Sequence, residues 1–437
     1  MNETLMILSL ISIWIALFIS LFILFSAALF WFKYSRIHAN LDKLNRYPTV
    51  TIVVPAHNEE SVIAQTAQAI LNLNYPVDKV ELLIFADNCR DRTLQVAHSI
   101  VDQQQYSNRS IKIIDHNHGG KGGKAKVLND ALKIAHGEYI CVYDADAIPE
   151  KNALYFLVKK VLENPNKFVS LFGRNKTRNA EENFLTKCIN QEIVVTHRVE
   201  HVGLWHMFKI GRIPGTNFII RSDFIRKIGG WSYGALTEDT DISFKILQNG
   251  KLIALAYDSE AFEQEPETLK DYYFQRKRWI KGNYQVVISN FRHLFDRSNW
   301  RVKFLTLNYF CTFFWFVIAI IVSDIIFASN FFVLVFHPFL PYVDLPFAFN
   351  SGNIQISQLL LFNWFLMVLI YLNQISFALS TQFGQTRNEQ IWIALASYFT
   401  YSQLFILISI SAFSSLLLDK ILHRDGTKWV KSKRFTD

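Results

Sequence analysis

Asp144 and Asp146 stand just past the run Gly137-Glu-Tyr-Ile-Cys-Val-Tyr143, whose composition reads as an interior strand. Ile148-Pro149 ends the stretch. In an open α/β sheet the carboxyl end of a strand is where ligands bind. Carboxylates at i and i+2 can both reach one hard cation through oxygen, and that cation can hold a diphosphate. An isolated Asp-x-Asp is more often a solvated turn, so the neighbouring motifs must decide.

Two further strand ends carry polar clusters. Thr49-Val-Thr-Ile-Val-Val-Pro55 runs into Ala56-His57-Asn58-Glu59, and Val80-Glu-Leu-Leu-Ile-Phe85 runs into Ala86-Asp87-Asn88. Asp and Asn are ordinary turn formers, which accounts for any one cluster more easily than for three. The loop Lys121-Gly-Gly-Lys124 opens a helix and offers backbone N–H groups and an ammonium to phosphate, although it lacks the GxxxxGK[ST] spacing. Pro214-Gly215 allows close backbone approach, and Thr216 and Asn217 add hydrogen-bonding groups. Thr237-Glu238-Asp239 opens another helix. Its acids suit the positive end of the dipole, and one of them, held ionised there, suits a general base. On a helix from Thr268 to about Val287, residues Gln275, Arg278, Trp279 and Gly282 share one face. An indole beside an amide and a guanidinium is a surface for a sugar and a diphosphate.

These elements alternate. Strands at 49–55, 80–85, 110–114 and 139–143 are separated by helical patterns at 61–73, 93–104 and 125–135. That alternation predicts a doubly wound, parallel α/β sheet whose carboxyl ends share a crevice. Further strands are expected at 168–172, 213–221 and 251–256, and a long helix at 181–206.

The chain is 51% hydrophobic, high for a soluble protein, and the apolar residues are concentrated at its two ends. Met6–Phe32 is uncharged and long enough to cross a bilayer. Spans are also expected near 303–327, 330–349, 356–380 and 390–418. Lys33, Arg36, Lys43 and Arg46 follow the first run, which by the positive-inside rule puts the N-terminus outside and the middle domain and basic tail in the cytoplasm. The net charge of +8 then faces an anionic leaflet rather than nucleic acid. The four cysteines show no CxxC spacing, as expected in a reducing compartment without structural zinc.

In order along residues 49–282, VVPAHNEE, FADNCRDRT, GGKGGKAKVLNDAL, YDADA, GTNFIIR, LTEDTDISFKI and QRKRW resemble the inverting family 2 glycosyltransferases of the membrane-embedded polysaccharide-synthase type. TEDTDISFKI and PETLKDYYFQRKRW are similar to those of poly-β-1,6-N-acetylglucosamine synthases, with cellulose, hyaluronan and chitin synthase-like motifs beside them.

The resemblance implies a GT-A nucleotide-diphospho-sugar transferase domain inserted between transmembrane helices. It implies a UDP-sugar site formed by Pro55, Ala56, Asn58, Glu59, Asp87, Lys124, Asp144, Gly215 and Thr216. Asp144 and Asp146 become metal ligands for Mg²⁺ or Mn²⁺, with Asp146 favoured as the direct one. Asp239 becomes the general base beside Glu238, with a low pKa sufficing, and Gln275, Arg278 and Trp279 the QxxRW signature.

The expected layout is a transmembrane helix at 1–32, a basic linker at 33–48 and the transferase domain at 49–282. An interfacial amphipathic helix at 283–301, a bundle of three or four spans at 302–418 and a basic tail at 419–437 follow. The implied protein sits in the cell membrane. It extends a β-linked exopolysaccharide from a UDP-sugar, UDP-N-acetylglucosamine foremost, and extrudes it, with an accessory membrane subunit possible. The alternatives are transfer of a single sugar to a lipid acceptor, or a non-catalytic transporter or nucleotide-sugar sensor.

Overall fold

β1 (Val50–Ala56) is buried at every position except Pro55. A β-branched strand hidden on both faces belongs inside a parallel sheet covered by helices. β1 pairs in parallel with β2 (Val80–Asp87) on one side and β4 (Tyr139–Val142) on the other, and β3 (Ser110–His116) continues beyond β2. With β5 (Ile148–Pro149), β6 (Phe168–Thr177), β7 (Phe218–Arg221) and β8 (Leu252–Glu263) the order is β3-β2-β1-β4-β7-β6-β8-β5. The computed structural model describes residues 2–34, 40–118, 123–318, scattered positions from 320 to 328, 354–383 and 387–422.

The chain leaves β1 towards β2 and β3, then returns to β4 on the opposite side. The carboxyl ends of β1, β2 and β4 therefore flank a topological switch point. The sheet is not wholly parallel: β7 runs antiparallel to both β4 and β6. Strand direction leaves no mark on a hydrophobic pattern, so the sequence does not predict this. Its consequence is local. The register Val142↔Phe218 brings the residues before Phe218 alongside those after Val142. Regular strand begins only at Phe218; Gly215 (φ 92°) and Asn217 (φ 49°) keep the approach irregular.

α2 (Ile63–Leu71) buries Ile63, Thr66, Ala67, Ile70 and Leu71, a spacing of three and four that turns one stripe to the sheet. α3 (Thr93–Val101), α4 (Gly123–Ile134) and α5 (Ala153–Leu162) complete the layers. α6 (Phe184–Val195) begins at a capping box, Asn183 with Thr186, and runs on through π-helical turns at Thr196–Glu200 and Leu204–Phe208.

Among the described residues, three helices are long and apolar enough to cross a membrane: Leu10–Tyr34, Phe362–Gln382 and Asn388–Ile421. They suggest membrane association. The first lies in α1 (Asn2–Tyr34); the third is interrupted at Thr400. The expected spans at 356–380 and 390–418 fall on the second and third. Near 303–327 the chain is helical at Trp300–Phe310 and continues into a π turn, Cys311–Trp315. The expected span at 330–349, Lys121 of the glycine-rich loop and the basic tail from 423 onward lie outside the described residues.

α1 packs onto the continuation of α6. Ser26 Oγ donates to the Gly203 carbonyl at 2.8 Å, and Trp31 Nε1 donates to that of Arg198 at 3.1 Å. A methyl added at Gly203 would lie 2.5 Å from the Ile23 carbonyl oxygen, so only glycine permits this approach. Ile23 and Ala27 are buried in the same core cluster as the strands.

The helix Leu269–Asn290, capped by Thr268 accepting from the Asp271 N–H at 3.1 Å, runs unbroken across the expected domain boundary at 282/283. It is pinned to the apolar helix Tyr401–Ile421, part of the third candidate span, by a Lys281–Asp419 ion pair and a Tyr273–Ser411 hydrogen bond of 2.6 Å.

Candidate active site

The antiparallel entry of β7 builds the first cluster. Thr216 Oγ1 accepts the Asp144 backbone N–H at 2.9 Å, fixing the turn after β4. Lys124, in the first turn of α4, reaches across the same turn. Its Nζ lies 2.6 Å from Asp144 Oδ1, 2.7 Å from the Gly215 carbonyl and 3.4 Å from Glu238 Oε1. Asp146 is buried, at 5% exposure. Asp144 therefore already faces a cationic nitrogen, and both acids offer oxygen only. That donor set fits Mg²⁺ or Mn²⁺.

Glu238 and Asp239 occupy the first turn of the helix Glu238–Gln248. Asp239 Oδ1 accepts the Thr240 N–H at 2.7 Å. A methyl at Gly215 would stand 3.1 Å from Asp239 Oδ2. Burial first, then the neighbouring Glu238 charge, push the Asp239 carboxyl up to about 7. Lys124, the Thr240 N–H and the Arg278 guanidinium pull the other way and are outweighed. This corrects the expectation of a low-pKa aspartate held ionised by the helix dipole: desolvation beside a second carboxylate costs more than the helix end returns.

Arg278 thus acts on Asp239 from the helix Leu269–Asn290. The same face carries Gly282, where an added methyl would meet Thr237 Cγ2 at 2.6 Å and Oγ1 at 2.7 Å. The two helices are also joined by Thr240 Oγ1 donating to Asn283 Oδ1 at 3.3 Å. Gln275 is 8% exposed, and its Oε1 has no hydrogen-bond partner among the described residues. Trp279 is half-buried, with the Arg276 guanidinium 4.4 Å from its ring centre. Arg276 pairs with Glu192 at 3.2 Å, and Tyr401 donates to that same carboxylate.

A second cluster lies two strands away, roughly 10 Å by strand spacing, at the ends of β2 and β3. Asp87 Oδ1 is 2.7 Å from His118 Nε2 and 2.9 Å from His116 Nδ1. The Asp87 carbonyl meets His57 Nδ1 at 2.6 Å. Asn58 and Asn88 adopt positive φ (55° and 49°), the left-handed conformation that Asn tolerates best after Gly. Asn58 Oδ1 accepts the Arg90 N–H at 2.7 Å, tying the two strand ends together. Glu59 is buried, and its N–H donates to Thr93 Oγ1 at 2.7 Å.

Residues 48–282 match the family described as glycosyltransferase like family 2. A probable glycosyltransferase of Bacillus subtilis, YdaM, is 33% identical over 100% of this chain and 99% of its own length. The chain belongs to glycosyltransferase family 2. Two further relatives of the transferase are a β-monoglucosyldiacylglycerol synthase of Synechocystis (28% identical, 60% of this chain and 55% of that one) and a poly-β-1,6-N-acetyl-D-glucosamine synthase of Staphylococcus aureus (25%, 58% and 58%). The chain thus spans little more than half the length of each. A mannosyltransferase of Pyrobaculum calidifontis, solved with GDP-mannose and Mn²⁺, superposes with a TM-score of 0.57 at 17% identity, covering 91% of this transferase and 99% of that chain. The likeness shows the GT-A fold.

Among the residues expected from the sequence, the fold of this transferase gathers Lys124, Asp144, Gly215, Thr216, Glu238, Asp239 and Arg278 into one cluster. Asn58, Glu59 and Asp87 fall in the other, at the ends of β1 and β2, beside Pro55 and Ala56 of β1. Sequence reasoning passed over His116, His118 and Asp130. A His-x-His pair leaving a strand puts both rings on one side, and that spacing was the available signal.

Proposed function

We propose that this family 2 transferase moves a sugar from UDP-sugar to an acceptor hydroxyl presented at the membrane, with inversion at the anomeric carbon. The observation carrying this is Asp239, alone among the described carboxylates in being both raised towards neutrality and set beside Lys124, Gly215 and Arg278. A base poised near the working pH is best matched to taking a hydroxyl proton. The acceptor O–H gives its proton to Asp239, and the oxygen forms a bond to the anomeric carbon. The carbon–oxygen bond to UDP breaks on the opposite face, and the diphosphate leaves with that electron pair.

Lys124 and Arg278 supply fixed positive charge to the departing diphosphate. Asp144 and Asp146 would hold a divalent ion, Mg²⁺ or Mn²⁺, which when bound adds further charge there. The Mn²⁺ in the mannosyltransferase neighbour supports that assignment. Pro55, Ala56, Asn58, Glu59 and Asp87 are assigned the nucleoside end, Gly215 and Thr216 the sugar, and Gln275 and Trp279 the acceptor terminus. Glu238 tunes Asp239 by its charge.

The acceptor we propose is the end of a β-linked polysaccharide with N-acetylglucosamine as the sugar, extruded through the transferase's own helices. The Staphylococcus relative and the pinning of the Trp279 helix to the apolar helix Tyr401–Ile421 support it. The charge distribution supports a cell-membrane protein with its catalytic domain in the cytoplasm. The Synechocystis relative favours a second reading, one sugar added to a lipid. Detergent-purified protein with Mg²⁺ or Mn²⁺ and each of UDP-N-acetylglucosamine, UDP-glucose, UDP-galactose and UDP-glucuronate tests both. UDP release with a large, glycosidase-sensitive product is expected. A single-sugar lipid adduct establishes the second reading, and no release with any donor overturns the first.

A further inference from the structure

The second cluster has a chemistry that donor binding does not use. His116 sets Nε2 3.0 Å from Asp130 Oδ2 and Nδ1 2.9 Å from Asp87 Oδ1. Asp130 is itself held by Lys126 at 2.7 Å and Lys133 at 2.6 Å. Asn88 Oδ1 accepts the His118 backbone N–H at 3.2 Å, which turns the Asn88 amide nitrogen towards His118 Nε2, 3.1 Å away. His118 Nδ1 is buried with no hydrogen-bond partner among the described residues. With its Nε2–H donated to Asp130, His116 turns its Nδ1 lone pair to Asp87 Oδ1; the Asn88 amide, which also donates to Asp87 Oδ1 at 3.0 Å, meets His118 Nε2 beside that oxygen, where the single Nε2 lone pair serves either Asn88 or a cation. A cation relieves that convergence. The three ligand atoms lie within 4.8 Å of one another, and the side chains are 12–14% exposed.

We propose that Asp87, His116 and His118 bind a divalent transition ion of the Zn²⁺ class, with Asp130 as the outer carboxylate orienting His116. Two imidazoles and a carboxylate favour Zn²⁺ or Co²⁺ over Mg²⁺, whereas the all-oxygen Asp144/Asp146 pair favours Mg²⁺ or Mn²⁺. Three protein ligands leave a fourth position open. Tetrahedral edges of roughly 3.3 Å follow from metal–ligand bonds of about 2.0 Å, so Asp87 Oδ1, now 2.9 Å from His116 Nδ1 and 2.7 Å from His118 Nε2, opens from each by about half an ångström. Because Asp87 is also assigned the nucleoside end of the donor, the ion excludes the nucleotide; this part rests on the proposed donor site.

The test is Co²⁺ titration of tag-free, full-length protein in detergent with excess Mg²⁺, read by visible absorption, where four-coordinate Co²⁺ absorbs far more strongly than six-coordinate. One equivalent of intense bands, displaced by Zn²⁺, is expected. The bands are lost in His116→Gln and in His118→Gln, persist in Asp146→Ala, and need roughly 10–100-fold more Co²⁺ in Asp130→Asn. No intense bands in the unsubstituted protein, or bands unchanged in both histidine variants, overturns the site. UDP is then added to the Co²⁺-loaded protein. Loss of the bands supports exclusion, and bands that persist alongside bound UDP overturn it while leaving the ion site standing. Failure of Co²⁺-free protein to bind UDP with Mn²⁺ overturns the donor-site reading and the exclusion with it, not the ion site.

Discussion

The bare Cα of Gly215 faces the carboxylate of Asp239 so closely that one methyl group would stand 3.1 Å from Oδ2. Gly215 also holds φ at 92°, where side chains are strained. Gly215→Ala thus imposes backbone strain of about 1–3 kcal/mol and displaces the proposed base. Transfer should fall at least about 10-fold, the factor that 1.4 kcal/mol represents, with UDP affinity changed much less. Equal loss of both would show that the glycine serves the donor pocket alone.

Asp239→Asn should lower kcat by roughly 10²–10⁴-fold, the usual worth of a positioned base, while UDP-sugar binding by calorimetry persists. In the unsubstituted enzyme, kcat/KM should decline as pH falls below about 7, because Asp239 must be ionised to accept a proton and its carboxyl is raised to about 7. Turnover retained in the variant would place the base elsewhere.

Lys124 favours the charged form of Asp239. Lys124→Met removes that help, so the protonated form persists to higher pH and the acid limb should move upward, with weaker donor binding besides. A pH–rate profile on kcat/KM checks it. An unmoved limb would mean that Arg278 and the Thr240 N–H govern the base instead.

Asp146→Ala should weaken Mn²⁺-dependent UDP binding. Titrating UDP with and without Mn²⁺ reads this directly, and an unchanged metal dependence removes Asp146 from the ligand set.

Trp279→Ala should impair elongation or acceptor use more than UDP binding. The measurement is product length together with UDP affinity. A loss confined to UDP affinity would assign the indole to the donor.

The strand–helix alternation made the sheet legible, because buried parallel strands are continuous apolar runs and their polar exits stand out. The motifs at Asp144, Asp239 and Arg278 were legible as types and spacing. Their mutual placement was not, since it depends on β7 running antiparallel and delivering Gly215 and Thr216 beside the end of β4. The raised carboxyl of Asp239 was misread because a helix-start acid looks stabilised until its burial and its neighbour Glu238 are known. The His116–Asp87–His118 convergence needed the parallel β2–β3 register, which pairs Asp87 with His116.

The contact between α1 and the continuation of α6 has a practical consequence. Ser26, Trp31, Ile23 and Ala27 come from an apolar segment, yet they close the floor of the catalytic domain. Removing residues 1–40 to obtain a water-soluble enzyme would strip a wall from the fold as well as an anchor. It would uncover Gly203 and the apolar surface around it, and the truncated product should clump. The catalytic unit worth purifying begins at the start of α1.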